Sequence, residues 1–169
     1  MNVVLFGMMG AGKTTVALAL SRLTGKSRVD TDEEIVKKYG PIKEIFSTFG
    51  EGRFRELETE TARSLSRQKN LIIATGGGFV LNPENVAFLK ENGALVYLRA
   101  EKETLVKRLK GESERPLLEG EERLESKIER LLGERGETYE RVAEYVIDVD
   151  KKTPEQIARE IVEKLGINS

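Results

Sequence analysis

Residues 2–6 (NVVLF) form an unbroken apolar run that ends at Gly7. After a glycine-rich stretch the period changes, and Val16, Ala17, Leu20 and Leu23 recur at helical spacing across Thr14–Leu23. An apolar run followed by that periodicity predicts a buried strand, a loop and an amphipathic helix. Three more short apolar runs, 71–74 (LIIA), 94–98 (ALVYL) and 145–149 (YVIDV), predict further strands, and 27–30 (SRVD) predicts a weaker one. Between them, Glu- and Lys-rich helical patterns cover 33–39, 42–48, 51–67, 84–91, 101–109, 121–132 and 154–165. Strands alternating with helices make βαβ units, so the expected class is α/β, a parallel sheet with helices on both faces. Two stretches depart from this rhythm. Residues 31–60 place several helices between two strands, which predicts a small inserted subdomain. Residues 110–122 (KGESERPLLEGEE) are polar, carry Gly111, Pro116 and Gly120, and predict a mobile lid. With no internal repeat or low-complexity tract, residues 1–169 are read as one domain.

Composition narrows the chemistry. The chain has no Cys and no His, which removes disulfides, thiolate nucleophiles, imidazole bases and zinc sites built on those ligands. Acid–base work falls to carboxylates, and charge stabilisation to Lys, Arg and backbone amides. With 28 basic and 29 acidic residues there is no global basic field, so neither nucleic acid nor an acidic membrane is an expected partner. Any anion must be met locally. No apolar stretch is long enough for a membrane span and the first residues lack a signal-peptide pattern, so a cytoplasmic protein is expected.

The stretch Gly7-Met8-Met9-Gly10-Ala11-Gly12-Lys13-Thr14 fits G-x-x-x-x-G-K-S/T, with a strand before it and a helix after it. In such a loop, glycines let backbone N–H groups converge on phosphates and the helix N-terminus adds partial positive charge. Lys13 is expected to reach the β- and γ-phosphates and the Thr14 hydroxyl to ligate Mg²⁺. Neither D-x-x-G nor N/T-K-x-D occurs, so GTPase readings fall away. A small ATP-dependent kinase of a small molecule remains.

Asp occurs only at positions 30, 32, 148 and 150. Asp30 and Asp32 close the second predicted strand, where open α/β sheets bind ligands. Asp30 is expected to serve the Mg²⁺ shell through water, and Asp32 to face the acceptor hydroxyl. Alternatively, Asp32 caps the 33–39 helix. Arg55 and Glu58 stand three apart on one helix. They read either as a surface ion pair or as a guanidinium oriented by Glu58 to take a substrate carboxylate; spacing leaves both open. Gly76-Gly77-Gly78 follows the third predicted strand, and three successive glycines favour backbone lying close to a ligand. Arg115, in the predicted lid, either closes over the transferred phosphoryl group or is a surface charge.

Together these residues resemble the shikimate kinases. The likeness spans nearly the whole chain: the loop Gly7–Thr14, Asp30-Thr31-Asp32, Gly50-Glu51 followed by Phe54-Arg55 and Glu58, Gly76-Gly77-Gly78, Arg115-Pro116-Leu117-Leu118, and Arg135 with Tyr139. The resemblance implies ATP-dependent phosphorylation of the 3-hydroxyl of shikimate, with Mg²⁺, on the route to chorismate and the aromatic amino acids. It also implies a P-loop fold with five parallel strands in the order 2-3-1-4-5, and a monomer. Nucleotide-binding residues would be Gly10, Ala11, Gly12, Lys13, Thr14, Thr15 and Arg115. Arg108 would stack on adenine, with Pro154 at its other face. Thr14 and Asp30 would serve the metal. The acceptor would be held by Asp32, Arg55, Gly76, Gly77, Gly78 and Arg135, and Lys13, Asp32 and Arg115 would carry catalysis. The family usually has R-x-P-x-Y where this chain reads Arg135-Gly136-Glu137-Thr138-Tyr139. Loss of that proline is expected to loosen the backbone behind Arg135 and to bring a negative charge near the carboxylate site. Gluconate kinases and nucleoside monophosphate kinases are rival readings within the fold. A nucleotide-binding regulator without catalysis is the rival outside it.

Overall fold

The computed structural model describes residues 1–112 and 123–168. Strands β1 (Asn2–Phe6), β2 (Ser27–Asp30), β3 (Leu71–Ala74), β4 (Gly93–Arg99) and β5 (Tyr145–Asp148) form one sheet in the order β2-β3-β1-β4-β5, paired in parallel. The expected class and strand order are therefore those observed. At the centre, Val3 pairs with Ile72 on one side and Ala94 on the other. A strand covered on both faces has no polar positions to alternate, which is why β1 reads as a continuous apolar run. Edge strand β2 exposes Ser27 and Arg28, so its pattern in the sequence is weak.

Chain direction explains where a ligand can sit. From β1 the chain passes through α1 (Lys13–Thr24) to β2 at one edge. From β3 it passes a 3₁₀ turn (Phe79–Leu81) and α5 (Pro83–Lys90) to β4, on the opposite side of β1. Adjacent strands β1 and β3 thus send their connections in opposite directions. Such a switch point opens a crevice beyond the carboxyl ends of the two strands. The Gly7–Gly12 loop and the Gly76–Gly78 turn emerge there. Thr75 fastens the second to the first, since its N–H and its hydroxyl both donate to the Leu5 carbonyl, at 3.0 and 3.1 Å.

Three helices lie between β2 and β3: α2 (Thr31–Tyr39), α3 (Ile42–Phe49) and α4 (Glu51–Ser66). Ile35, Ile45, Phe54 and Leu57, with Ile42 against them, bury one another in a small core apart from that of the sheet. Gly40 and Gly50 close α2 and α3, each returning its N–H to the helix it ends. At the start of α2 the cap is Asp30, whose Oδ1 accepts from the N–H groups of Asp32 (2.9 Å) and Glu33 (3.2 Å). Asp32 lies within the first turn, so the alternative that Asp32 is the cap is replaced by Asp30 in that role.

After β4, α6 (Lys102–Glu112) is followed by α7 (Leu124–Val142) and, beyond β5, by α8 (Pro154–Leu165). Residues 113–122, with Arg115 and most of the expected lid, lie outside the described residues. Helix α7 does not end at 132, where the apolar spacing predicts it, but continues through Gly133 and Gly136 to Val142. A glycine inside a helix costs about 1 kcal/mol relative to alanine. Burial of Ile128, Leu131 and Tyr139 along one side of α7 offsets that cost. Position 137 sits inside this unbroken helix with its side chain exposed, so the backbone around Arg135 is regular helix without the proline. No helix among the described residues is long and apolar enough to cross a membrane.

Candidate active site

The loop after β1 turns through Gly10 (φ 84°) and Gly12 (φ 94°), left-handed conformations that favour glycine. Helix α1 then begins at Lys13 with no acidic residue in its first turn and no side-chain cap. Its N-terminal amides and positive dipole end are left for an anion. Lys13 Nζ donates to the Gly7 carbonyl at 2.6 Å. Burial lowers its pKa to about 8, against the attraction of Asp32 and Asp30.

Helix α6 packs over this loop. A Cβ on Gly10 would lie 2.9 Å from Leu109 Cγ, and one on Gly12 would lie 3.2 Å from Arg108 Nη1. Arg108 Nη1 donates to the carbonyls of Ala11 (3.0 Å) and Gly10 (3.4 Å), and Nη2 to that of Val149 (3.5 Å). Asp150, beside Val149, secures the start of the same helix: its Oδ1 accepts from Glu101 N–H (3.0 Å) and the Thr104 hydroxyl (2.6 Å). Thr15 donates its hydroxyl to the Gly12 carbonyl at 3.0 Å. Gly10, Gly12, Lys13, Thr14, Thr15, Arg108 and Pro154 line one cavity of about 430 Å³, so the two positions carried only by likeness, 108 and 154, do flank the loop. Ala11 is fully buried and is present through its backbone.

A second cavity, of about 420 Å³, shares Lys13 and Thr14 with the first. Asp30 reaches it from the end of β2, Asp32 from the first turn of α2, Arg55 and Glu58 from α4, Gly76–Gly78 from the end of β3, and Arg135 from α7. The three glycines have a specific reason to be glycine. A Cβ on Gly76 would lie 2.8 Å from Asp32 Oδ1, on Gly77 2.8 Å from Arg135 Nη1, and on Gly78 2.8 Å from Arg55 Nη1. Each site side chain thus rests against a different residue of the turn. Two further bonds hold the turn: Gly76 N–H donates to Thr31 Oγ1 at 3.0 Å, and the Tyr139 hydroxyl donates to the Gly77 carbonyl at 2.5 Å.

Arg55 Nη1 donates to Glu58 Oε1 at 2.7 Å, and the Glu58 side chain is 2% exposed while that of Arg55 is 37% exposed. A surface pair would leave both in water, so here a buried carboxylate anchors a guanidinium that still reaches the cavity. Burial raises the Glu58 pKa despite its arginine partner. For Arg55, burial opposes the charge, but the hydrogen bonds it donates to Glu58 and Glu51, with the attraction of those carboxylates, outweigh it and raise its pKa. Asp32 is raised above the ordinary value by burial and then by Asp30, against Lys13 and Arg55. A less acidic carboxylate beside a buried lysine is able to take up a proton from a bound hydroxyl.

The donors present suit one kind of metal. No group of three or more His, Cys, Asp or Glu side chains gathers into a cage among the described residues. Thr14 and Asp30 lie together at the second cavity, and Asp30 Oδ1 is engaged by the start of α2. A hydroxyl and one carboxylate fit Mg²⁺ that keeps its waters and takes its other ligands from phosphate.

Sequence reasoning passed over Thr31, Tyr139 and Asp150 as positioning groups. The first and third act across 45 and 46 residues of chain, which local spacing cannot show. Tyr139 was visible only as the end of a motif, and the continuity of α7 would have placed it one helical turn beyond Arg135.

A parallel sheet with a phosphate loop at its switch point, and a second cavity that meets it at Lys13 and Thr14 and is lined by two arginines and three carboxylates, define a P-loop phosphotransferase for a small acceptor. The sequence model of the shikimate kinases matches residues 9–166. A shikimate kinase of Caldicellulosiruptor bescii is 43% identical over 162 residues, covering 95% of this chain and 93% of its own. One of Thermodesulfovibrio yellowstonii is 43% identical over 164 residues, covering 96% and 94%. Among solved structures, shikimate kinase from Acinetobacter baumannii in complex with shikimate superposes with a TM-score of 0.86 at 39% identity, covering 97% of this chain and 92% of that one. The chain belongs to the shikimate kinase family.

Proposed function

We propose that this chain transfers the γ-phosphoryl group of ATP to the 3-hydroxyl of shikimate, giving shikimate 3-phosphate and ADP, on the way to chorismate and the aromatic amino acids. The observation that carries the reading is the convergence of Asp32, Arg55 and Arg135 on the Gly76–Gly78 turn, in a cavity that shares Lys13 and Thr14 with the cavity beneath Arg108.

ATP occupies the first cavity, its adenine between Arg108 and Pro154 and its phosphates over Gly10–Thr15. Lys13 leaves the Gly7 carbonyl for the β- and γ-phosphates. Thr14 and Asp30 would hold Mg²⁺, which would neutralise charge on the phosphate chain. Shikimate occupies the second cavity. Its carboxylate lies between Arg55 and Arg135, whose planar forks suit that group, with the backbone of residues 76–78 beside the ring. Residues 31–60, within α2–α4, supply much of this acceptor pocket. Held at its carboxylate, the ring presents one hydroxyl to Asp32. As the new O–P bond forms and the bond to the β-phosphate oxygen breaks, the hydroxyl proton passes to Asp32. The transition state of phosphoryl transfer is loose, so positioning and charge neutralisation contribute more than a strong base. Arg115 is assigned from its place in the sequence alone, to neutralise charge on the γ-phosphoryl group. A monomer, working in the cytoplasm where ATP is supplied, completes the proposal.

The test is ADP release coupled to a dehydrogenase, with shikimate, gluconate and nucleoside monophosphates offered in turn and the product identified by ³¹P NMR. Release that needs ATP, Mg²⁺ and shikimate together is expected. Turnover with gluconate or a nucleotide and none with shikimate would overturn the assignment, and ATP binding without turnover of any acceptor would favour a regulatory module.

A further inference from the structure

Among the buried polar side chains that the proposed reaction does not use is Asn85. Asn85 is 1% exposed, in α5, and both ends of its amide are engaged. Nδ2 donates to the Phe79 carbonyl at 3.0 Å, and Oδ1 accepts from the Thr59 hydroxyl at 2.7 Å. Phe79 directly follows Gly78, against which Arg55 Nη1 rests. Thr59 stands one turn after Arg55 on α4, with its hydroxyl also 3.2 Å from the Arg55 carbonyl. Asn82, the cap of α5, donates from Nδ2 to the same Thr59 oxygen at 3.3 Å. A closed circuit results: the Arg55 side chain touches the turn at Gly78, and the Arg55 backbone is tied through Thr59 and Asn85 to the next residue of that turn.

We infer that Thr59 and Asn85 are positioning residues that set the distance between Arg55 and the Gly76–Gly78 turn, and so the width of the opening that receives the acceptor carboxylate. The inference rests on the proposed reading of Arg55 as a carboxylate ligand. A helix on a sheet can slide by fractions of an ångström at little cost when apolar contacts alone hold it, because such contacts are not directional. Hydrogen bonds have directional optima, and buried ones are costly to leave unmade. Arg135 reaches the turn from another element, α7, at Gly77. Movement of α4 alone would therefore open or close the gap between the two guanidinium groups. None of the circuit's hydrogen bonds reaches the Gly10–Thr15 loop, so nucleotide binding should not follow it.

The experiment compares Thr59→Val, Thr59→Ser, Asn85→Ala and Arg55→Ala. For each, kcat and the two KM values are measured, with thermal melts as the check on folding. Losing one net hydrogen bond corresponds to roughly a 2- to 12-fold change in an equilibrium. Thr59→Val should raise the shikimate KM by about that factor with the ATP KM unchanged, and Thr59→Ser, which keeps the hydroxyl, should restore it. In the Arg55→Ala background Thr59→Val should add nothing to the loss in shikimate kcat/KM. An unchanged shikimate KM in Thr59→Val, or equal losses with and without Arg55, overturns the inference while leaving the assignment of Arg55 intact. An unchanged shikimate KM in Arg55→Ala itself would instead sink the underlying reading. If Asn85→Ala fails to fold, the Thr59 pair still decides.

Discussion

At the scale of single residues, the pH behaviour of Lys13 and Asp32 separates their catalytic work from their effect on stability. The dependence of kcat/KM on pH reports groups of the free enzyme. Lys13 must be charged to hold phosphates, and its pKa is about 8, so kcat/KM for ATP should fall as pH rises through about 8. Stability should move the other way. The folded pKa of Lys13 lies below its ordinary 10.5, so the unfolded chain binds more protons between the two values and this group contributes stability that grows with pH across that window. Activity and melting temperature followed together from pH 7 to 10 test this, and a parallel loss of both below pH 9 would contradict it. On the acid side, Asp32 must be ionised, and its raised pKa should end activity at a higher pH than an exposed aspartate would. Asp32→Asn should lower kcat by orders of magnitude with the fold kept. Gly77→Ala should force Arg135 aside, since the new methyl carbon would sit 2.8 Å from its Nη1. The guanidinium is the free end of a long chain, so stability should change little while the shikimate KM rises, to be read from initial rates and a melt.

Most of these residues were legible from the chain because each sits at a strand end or in a glycine cluster. What local spacing could not decide was the meaning of the Arg55 and Glu58 pair. The same i, i+3 relation serves an exposed pair and an anchored one, and only the burial of Glu58 distinguishes them.

At the scale of elements, α7 shows why helix ends are hard to read from a sequence. Gly133 and Gly136 look like a stop, yet the helix persists because Tyr139, beyond them, is buried against Phe6 and Tyr97 with ring centroids 5.8 and 5.3 Å away. Packing outweighs propensity there. A Cβ on Gly133 would meet nothing within 4 Å. Gly133→Ala should therefore stabilise the protein by about 0.5–1 kcal/mol, raising the melting temperature by roughly 1–4 °C with kinetics unchanged. A fall in melting temperature would mean that the glycine serves a conformation other than this helix. Strand β2 was faint for the opposite reason, since an edge strand has one row of neighbours and needs few apolar residues. Helix α6 depends on a distant cap, and removing it with Asp150→Ala should raise the ATP KM more than the shikimate KM, whereas Asp150→Asn, which keeps an acceptor oxygen, should stay near the parent enzyme.

At the scale of the whole molecule, the division of labour follows from the topology. Two loops leave adjacent strands in opposite directions. The crevice between them is fed by α6 and α8 on the nucleotide side and by α2, α4 and α7 on the acceptor side. Lys13 and Thr14, at the start of α1, belong to both cavities, so a phosphoryl group held there faces each of them. Phosphate-loop spacing and strand alternation were enough to anticipate the parallel sheet and the phosphate loop after its first strand, while the strand order rested on the likeness to a family. The approach of Arg135 to Gly77, from chain segments 58 residues apart by their numbering, needed the fold or the likeness to a family. The most direct test of the central claim is a crystal structure of the complex with shikimate and a non-hydrolysable ATP analogue. The account predicts the carboxylate within hydrogen-bond reach of both Arg55 and Arg135, and the 3-hydroxyl between Asp32 and the terminal phosphate at Lys13. A ring bound with its carboxylate away from both arginines, or with another hydroxyl toward that phosphate, would contradict it.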